Sequence, residues 1–131
     1  MVMTDIRTLF ETWYVSNRKV ETDCNGNPPV GYIGNHLILQ HNRTGNGYLY
    51  LRPNICWKVF IHRMAIDGLL DNERDRFESW YRDYQHSINT IDYVNQHWSD
   101  MIKHNGLRYV SDIVMECART WSYAVLLKRG N

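Results

Sequence analysis

The chain of 131 residues carries 15 Lys and Arg against 14 Asp and Glu, a formal charge of +1. That balance excludes, for the chain as a whole, a strongly basic nucleic-acid binder and an acidic nucleic-acid mimic. Hydrophobic residues make up 44%, with only eight Gly and three Pro, so the composition is globular and neither disordered nor collagen-like.

The length fits one domain over 1–131, or two small halves sharing one core. Five Trp and nine Tyr supply a large ring area for burial. The opening MVMTDIRTLF lacks a basic stretch followed by a long apolar run, so no signal peptide is expected. No apolar stretch approaches the ~20 residues of a membrane helix. Cys24, Cys56 and Cys117 are odd in number and form no CxxC. They read as reduced thiols in a cytoplasmic protein, with Cys56 and Cys117 buried as small hydrophobes.

In chain order, Thr4 to Asn17 reads as a helix. Ile6, Phe10, Trp13 and Tyr14 share one face, Thr4 is the expected N-cap, and Asp5 sits in the first turn where the dipole favours an acid. Asp23 to Pro29 is a loop by its turn residues. His36–Asn42 and Gly47–Arg52 are β-prone runs around the polar turn Arg43–Asn46, which predicts a β-hairpin. Tyr48, Tyr50 and Arg52 would then share one strand face, with Leu49 and Leu51 on the other.

Asn54 to Asp67 fits both a buried helix and a third strand. Pro53 just ahead suits a helix start, and the helix is preferred. Asp71 is the expected cap of a helix carrying Phe77, Trp80, Tyr81 and Tyr84. Asn89 is the expected cap of another, with Ile91, Val94, Trp98, Met101 and Ile102, ended by His104-Asn105-Gly106. The last helix bears Val110, Ile113, Val114, Cys117, Trp121, Ala124 and Val125 in one stripe, and Lys128 and Arg129 complement its C-terminal dipole.

An internal echo runs through the chain. Phe10-Glu11-Thr12-Trp13-Tyr14 returns as Phe77-Glu78-Ser79-Trp80-Tyr81, 67 residues later. Asn46-Gly47-Tyr48 has a partner in Asn105-Gly106-Leu107. Cys56 lies eight residues after Tyr48, and Cys117 eight after Tyr109. Phe60 and Trp121 each follow the cysteine by four. The order of motifs points to a duplicated unit, with repeats at 4–67 and 71–129. On that reading the aromatics pack inward, and Trp80→Ala is a core truncation costing ~3–5 kcal/mol.

The second copy, with Tyr109, Val114, Cys117, Trp121 and Ala124 after its Phe77–Tyr81 helix, resembles small tailed-phage accessory proteins. In those an FEAWY-like opening helix is followed by a closing helix with a W-x-A-W-like pattern. The first copy, Phe10 to Tyr14 followed by Cys56, Trp57 and Phe60, matches less closely. The resemblance implies a phage origin, action in the cytoplasm of an infected bacterium, and a target in host machinery or immunity, including CRISPR systems. A second resemblance is local. Gly47–Arg52, Trp57–Ala65, Ile66-Asp67-Gly68 and Leu70-Asp71-Asn72 are similar to the strand pair and core of phage HNH homing endonucleases. Ala65 stands where that family has its general-base His, so this resemblance implies a degenerate nuclease or a DNA-binding relic.

The six histidines do not compose a metal site by spacing. His36 and His41 would face opposite sides of a strand, and His97 and His104 lie two helical turns apart, roughly 10 Å by rise. Glu11 and Glu78 repeat beside Trp, which suggests that each pairs with or caps something. Gly45-Asn46-Gly47 lacks the Lys-Ser/Thr of a phosphate loop. Arg74, Arg76 and Arg82 are interleaved with acids, as on a solvated face.

The expected fold is therefore α+β: mostly α-helical, with one β-hairpin or small antiparallel sheet and an internal duplication. The expected function is non-catalytic binding and inhibition of a bacterial host or defence complex. Arg43, Tyr48, Tyr50 and Arg52 are the candidate binding residues, because Tyr and Arg are enriched in interfaces. No catalytic residue, metal or cofactor is expected. The alternatives are a DNA-binding or degenerate HNH-like protein, for which nucleic acid is the partner, and a nucleotide-binding sponge.

Overall fold

The computed structural model describes residues 5–16 and 42–130. Within them lie five helices: α1 Ile6–Ser16, α2 Leu51–Met64, α3 Glu73–Ile88, α4 Ile91–Met101 and α5 Asp112–Arg129. The chain divides into two compact units after Lys58, inside α2.

The α+β expectation is corrected. Among the described residues there is no strand, only two isolated antiparallel bridges, Arg43 with Tyr48 and His104 with Tyr109. The first expected strand, His36–Asn42, lies outside the described residues except for Asn42. The second, Gly47–Arg52, is the end of a tight turn followed by the first residues of α2. Its alternation is deceptive: Tyr48 is buried, while Leu49, Tyr50 and Leu51 are all exposed. Tyr48 and Tyr50 therefore do not share a face.

Pro53 explains why the helix wins. It is the third residue of α2, in the turn whose N–H groups have no helical partner, so its missing donor costs nothing there. The Asn54 N–H reaches the Tyr50 carbonyl at 3.1 Å, the first α-type bond. Ile55, Cys56, Val59 and Phe60 are then buried at helical spacing. The helix expected from Asn54 onward is the one observed, and the strand pair implied by the HNH resemblance is not.

In the first unit, α1 begins on Asp5. Its Oδ1 accepts the Arg7 N–H at 3.0 Å, and its carbonyl accepts the Leu9 N–H at 3.1 Å. Asp5 thus caps the helix, while Thr4 lies outside the described residues. Phe10, Glu11 and Tyr14 are the buried face of α1. The Phe10 ring meets Tyr48 at 5.9 Å and Trp57 at 5.3 Å.

In the second unit, α3 packs on α4 and on α5. Asn72, with φ 58°, precedes α3 in the left-handed region, which Asn tolerates better than Asp71 or most other residues. Thr90 caps α4 by accepting the Tyr93 N–H at 3.1 Å. The expected cap, Asn89, instead closes α3, its N–H on the Gln85 carbonyl at 2.8 Å. Ser111 caps α5 through Val114. Such caps are each worth about 1 kcal/mol.

The core of this unit includes Val59, Phe60, Phe77, Tyr81, Val94, Tyr109, Val114, Cys117, Trp121, Ala124 and Val125. Trp80 is not a core residue: it is half-buried. Its ring stacks on Tyr84 at 5.6 Å and lies 5.9 Å from His62. The inward rings of the repeated motif are its Phe and Tyr, in both copies.

Candidate functional site

Two turns, one in each unit, are built on the same plan. In the first, the Leu49 N–H bonds the Asn42 carbonyl at 2.8 Å and the Thr44 N–H bonds the Gly47 carbonyl at 2.9 Å. In the second, the Val110 N–H bonds the Lys103 carbonyl at 2.8 Å and the Asn105 N–H bonds the Arg108 carbonyl at 3.0 Å. Positions 42, 43, 44, 47, 48 and 49 thus recur at 103, 104, 105, 108, 109 and 110. The echo is aligned on Tyr48 and Tyr109, so Gly45 corresponds to Gly106. Pairing Asn46-Gly47 with Asn105-Gly106, as the sequence echo does, is two residues out of this register.

Each turn is tied to the preceding motif helix through its tyrosine. The Tyr48 hydroxyl donates to Glu11 Oε2 at 2.7 Å. The Tyr109 hydroxyl donates to Glu78 Oε2 at 2.6 Å. An arginine four residues before the glutamate joins in each case. The Arg7 guanidinium lies over the Tyr48 ring at 4.8 Å and the Arg74 guanidinium over the Tyr109 ring at 5.5 Å. Arg7 also donates to the Gly47 carbonyl at 2.5 Å, while Arg74 Nε bonds Glu78 Oε2 at 3.1 Å.

The surroundings of the two glutamates differ. Only 1% of the Glu11 side chain is exposed. Arg43 grips its carboxylate with two nitrogens, Nε on Oε2 at 2.8 Å and a second, shorter bond to Oε1. Burial alone would push the Glu11 carboxyl up, but the bonds from Arg43 and Tyr48 and the charges of Arg43 and Arg7 outweigh it and hold it below its usual range. Burial and the neighbouring carboxylate raise the Tyr48 hydroxyl. In the second unit burial and the bond to Glu78 push Tyr109 up to about 12.

The first turn is fastened at two further points. Asn54 Oδ1 accepts the Tyr48 N–H at 3.0 Å, and Trp57 Nε1 donates to the Asn46 carbonyl at 2.9 Å. Asn54 also dictates Gly47, because a Cβ there would stand 2.0 Å from Asn54 Oδ1. Position 115, which corresponds to Asn54, is Met, and Arg108 is accommodated where Gly47 is required.

Of the four residues expected at a binding face, the structure therefore brings Arg43 and Tyr48 together on Glu11. Tyr50 and Arg52 lie exposed at the start of α2. There Leu49 at 70%, Tyr50 at 40% and Leu51 at 61% form an exposed run of three large apolar side chains. Sequence reasoning missed Arg7 and Asn54. A longer repeat was available as a signal, since Arg7 and Arg74 stand at the same place before each Phe-Glu.

Among the described residues no three His, Cys, Asp or Glu side chains gather as a metal-binding set. His36, His41 and Cys24 lie outside those residues. His62 packs against the rings of Trp80 and Trp121, both at 5.9 Å. No helix among the described residues is long and apolar enough to cross a membrane. No protein-family model, curated protein or solved structure matches the chain.

Proposed function

We propose that the chain is a non-enzymatic binding module that docks on a protein through Leu49, Tyr50, Leu51 and Arg52. The observation carrying this reading is the run of three exposed apolar side chains directly after a turn held by Glu11, Asn54 and Trp57. Exposed apolar clusters beside polar residues are interaction sites more often than chance surface. A fastened turn loses little freedom on binding, so less of the contact energy is spent in ordering it. Tyr and Arg are the residue types that most often anchor such contacts. The partner class is the one that the phage resemblance implies, a bacterial host or defence complex that the docked module blocks.

The test is a paired capture from bacterial lysate. The wild-type chain retains a protein in stoichiometric amount, and the double variant Leu49→Asp, Leu51→Asp loses it while keeping its melting temperature. Capture that survives in the double variant, or no stoichiometric partner at all, overturns the reading.

A further inference from the structure

The comparison of the two turns singles out a second site, independent of the Leu49–Leu51 run. In the first unit Glu11 meets two guanidinium groups, Arg7 along α1 and Arg43 from the turn. Arg43 covers the carboxylate edge, and the Glu11 side chain is only 1% exposed. In the second unit Glu78 meets one, Arg74. The position of Arg43 is taken by His104, which forms the same backbone bridge to Tyr109. His104 does not reach the carboxylate. Its Nδ1 accepts the Gly106 N–H at 3.0 Å, and its ring lies edge-on against Tyr109 at 5.0 Å. The bonds from Tyr109 and Arg74 both converge on Glu78 Oε2. The Glu78 side chain is 19% exposed.

We infer that the uncovered edge of Glu78 is a socket for an arginine side chain supplied by a partner polypeptide, which takes the place that Arg43 takes within the first unit. The chemistry selects arginine over lysine. A carboxylate presented edge-on accepts two parallel N–H bonds from a planar guanidinium, whereas an ammonium meets it as a point charge. The Glu78 carboxylate is oriented beforehand, because the Tyr109 hydroxyl and Arg74 Nε both bond Oε2, while no described residue bonds Oε1. Arg108 does not fill the socket from within, since its guanidinium is held by Asp112 at 2.8 Å and by the Tyr109 carbonyl at 3.0 Å.

The experiment is a titration of the isotope-labelled full chain with N-acetyl-arginine amide and, separately, N-acetyl-lysine amide, followed by NMR. A single exposed ion pair is weak, so millimolar probe is required. The arginine probe is expected to give saturable shifts at Glu78, His104 and Tyr109, with at least about threefold tighter binding than the lysine probe. Glu78→Gln, which still accepts from Tyr109, should weaken binding at least about tenfold. His104→Arg fills the socket from within, as Arg43 does on Glu11, and should abolish the shifts while raising the melting temperature. Absence of saturable shifts at these residues, equal response to the two probes, or undiminished binding in His104→Arg overturns the inference.

Discussion

Arg63 is fully buried, and Glu73 is what holds it there. Nε and Nη2 bond the carboxylate at 3.0 and 2.8 Å; Nη2 also donates to the Gly68 carbonyl at 2.8 Å, and Nη1 donates to the Ile66 carbonyl at 3.3 Å. The cation thus closes the end of α2 onto the loop that leads into α3. Trp121 Nε1 adds a bond to Glu73 at 2.9 Å, so the start of α3 is joined to α5 as well. Arg63→Ala is expected to lower stability by ~3–5 kcal/mol, the range for breaking a buried pair, as measured by urea unfolding.

The same pair sets the acid limit of the second unit. Desolvation pushes the Glu73 carboxyl up. The bonds from Arg63, the Leu70 N–H and Trp121, with the charge of Arg63, more than reverse it and bring it from 4.5 to about 2. The unfolded chain therefore takes up this proton first as pH falls. Stability from Glu73 is fully present above about pH 4.5 and is lost progressively toward pH 2. Urea midpoints measured across that window should fall steeply in the wild type and less steeply in Glu73→Gln.

His62 gives a second, milder pH dependence. Burial first, and then the charge of Arg63, lower its imidazole below the usual 6.5. The folded state resists the proton that the unfolded chain accepts near 6.5. Stability should thus decline as pH falls through 6.5 toward the lowered value, and His62→Phe should flatten that part of the profile. A slope unchanged in the variant assigns the effect to another group.

Gly47 is required by Asn54 and not by its own backbone. An added Cβ would displace Asn54 Oδ1 from the Tyr48 N–H. Gly47→Ala should cost ~1–2 kcal/mol, the loss of one part-buried hydrogen bond with local strain. Gly45→Ala meets open space and should be close to neutral. In an Asn54→Ala background the Gly47→Ala cost should shrink, which a double-mutant cycle reads directly.

The motif's buried and half-buried rings should separate in a truncation series. Phe77, 2% exposed, contacts the rings of Tyr81, Tyr109 and Trp121. Phe77→Ala is expected to cost ~3–5 kcal/mol. Trp80→Ala should cost less, because the indole is only half-buried and rests on Tyr84 and His62.

What the sequence made legible follows from which signals are local. The helices could be placed from their apolar stripes, and Phe10-Glu11 with Phe77-Glu78 marked the echo. The role of the two glutamates could only be guessed at, since Tyr48 and Arg43 reach Glu11 from more than 30 residues away along the chain. The hairpin error had a physical origin. Tyr48 to Arg52 alternates over too few residues to distinguish a strand from a turn and a helix start, and the deciding contact, Asn54 to Tyr48, is a side-chain bond that no periodicity contains. Arg43 and Tyr48, candidate binding residues by their type, both bond Glu11 and fasten the turn. Tyr50 and Arg52 remain on the surface.

The central claim is that one tie, glutamate to tyrosine, is built twice. Paired double-mutant cycles test it in the intact chain, using Glu11→Ala with Tyr48→Phe and Glu78→Ala with Tyr109→Phe. A coupling energy of ~1–2 kcal/mol in both cycles is predicted, as expected for a charge-assisted hydrogen bond. Coupling within about 0.5 kcal/mol of zero in either cycle, the limit of simple additivity, contradicts it.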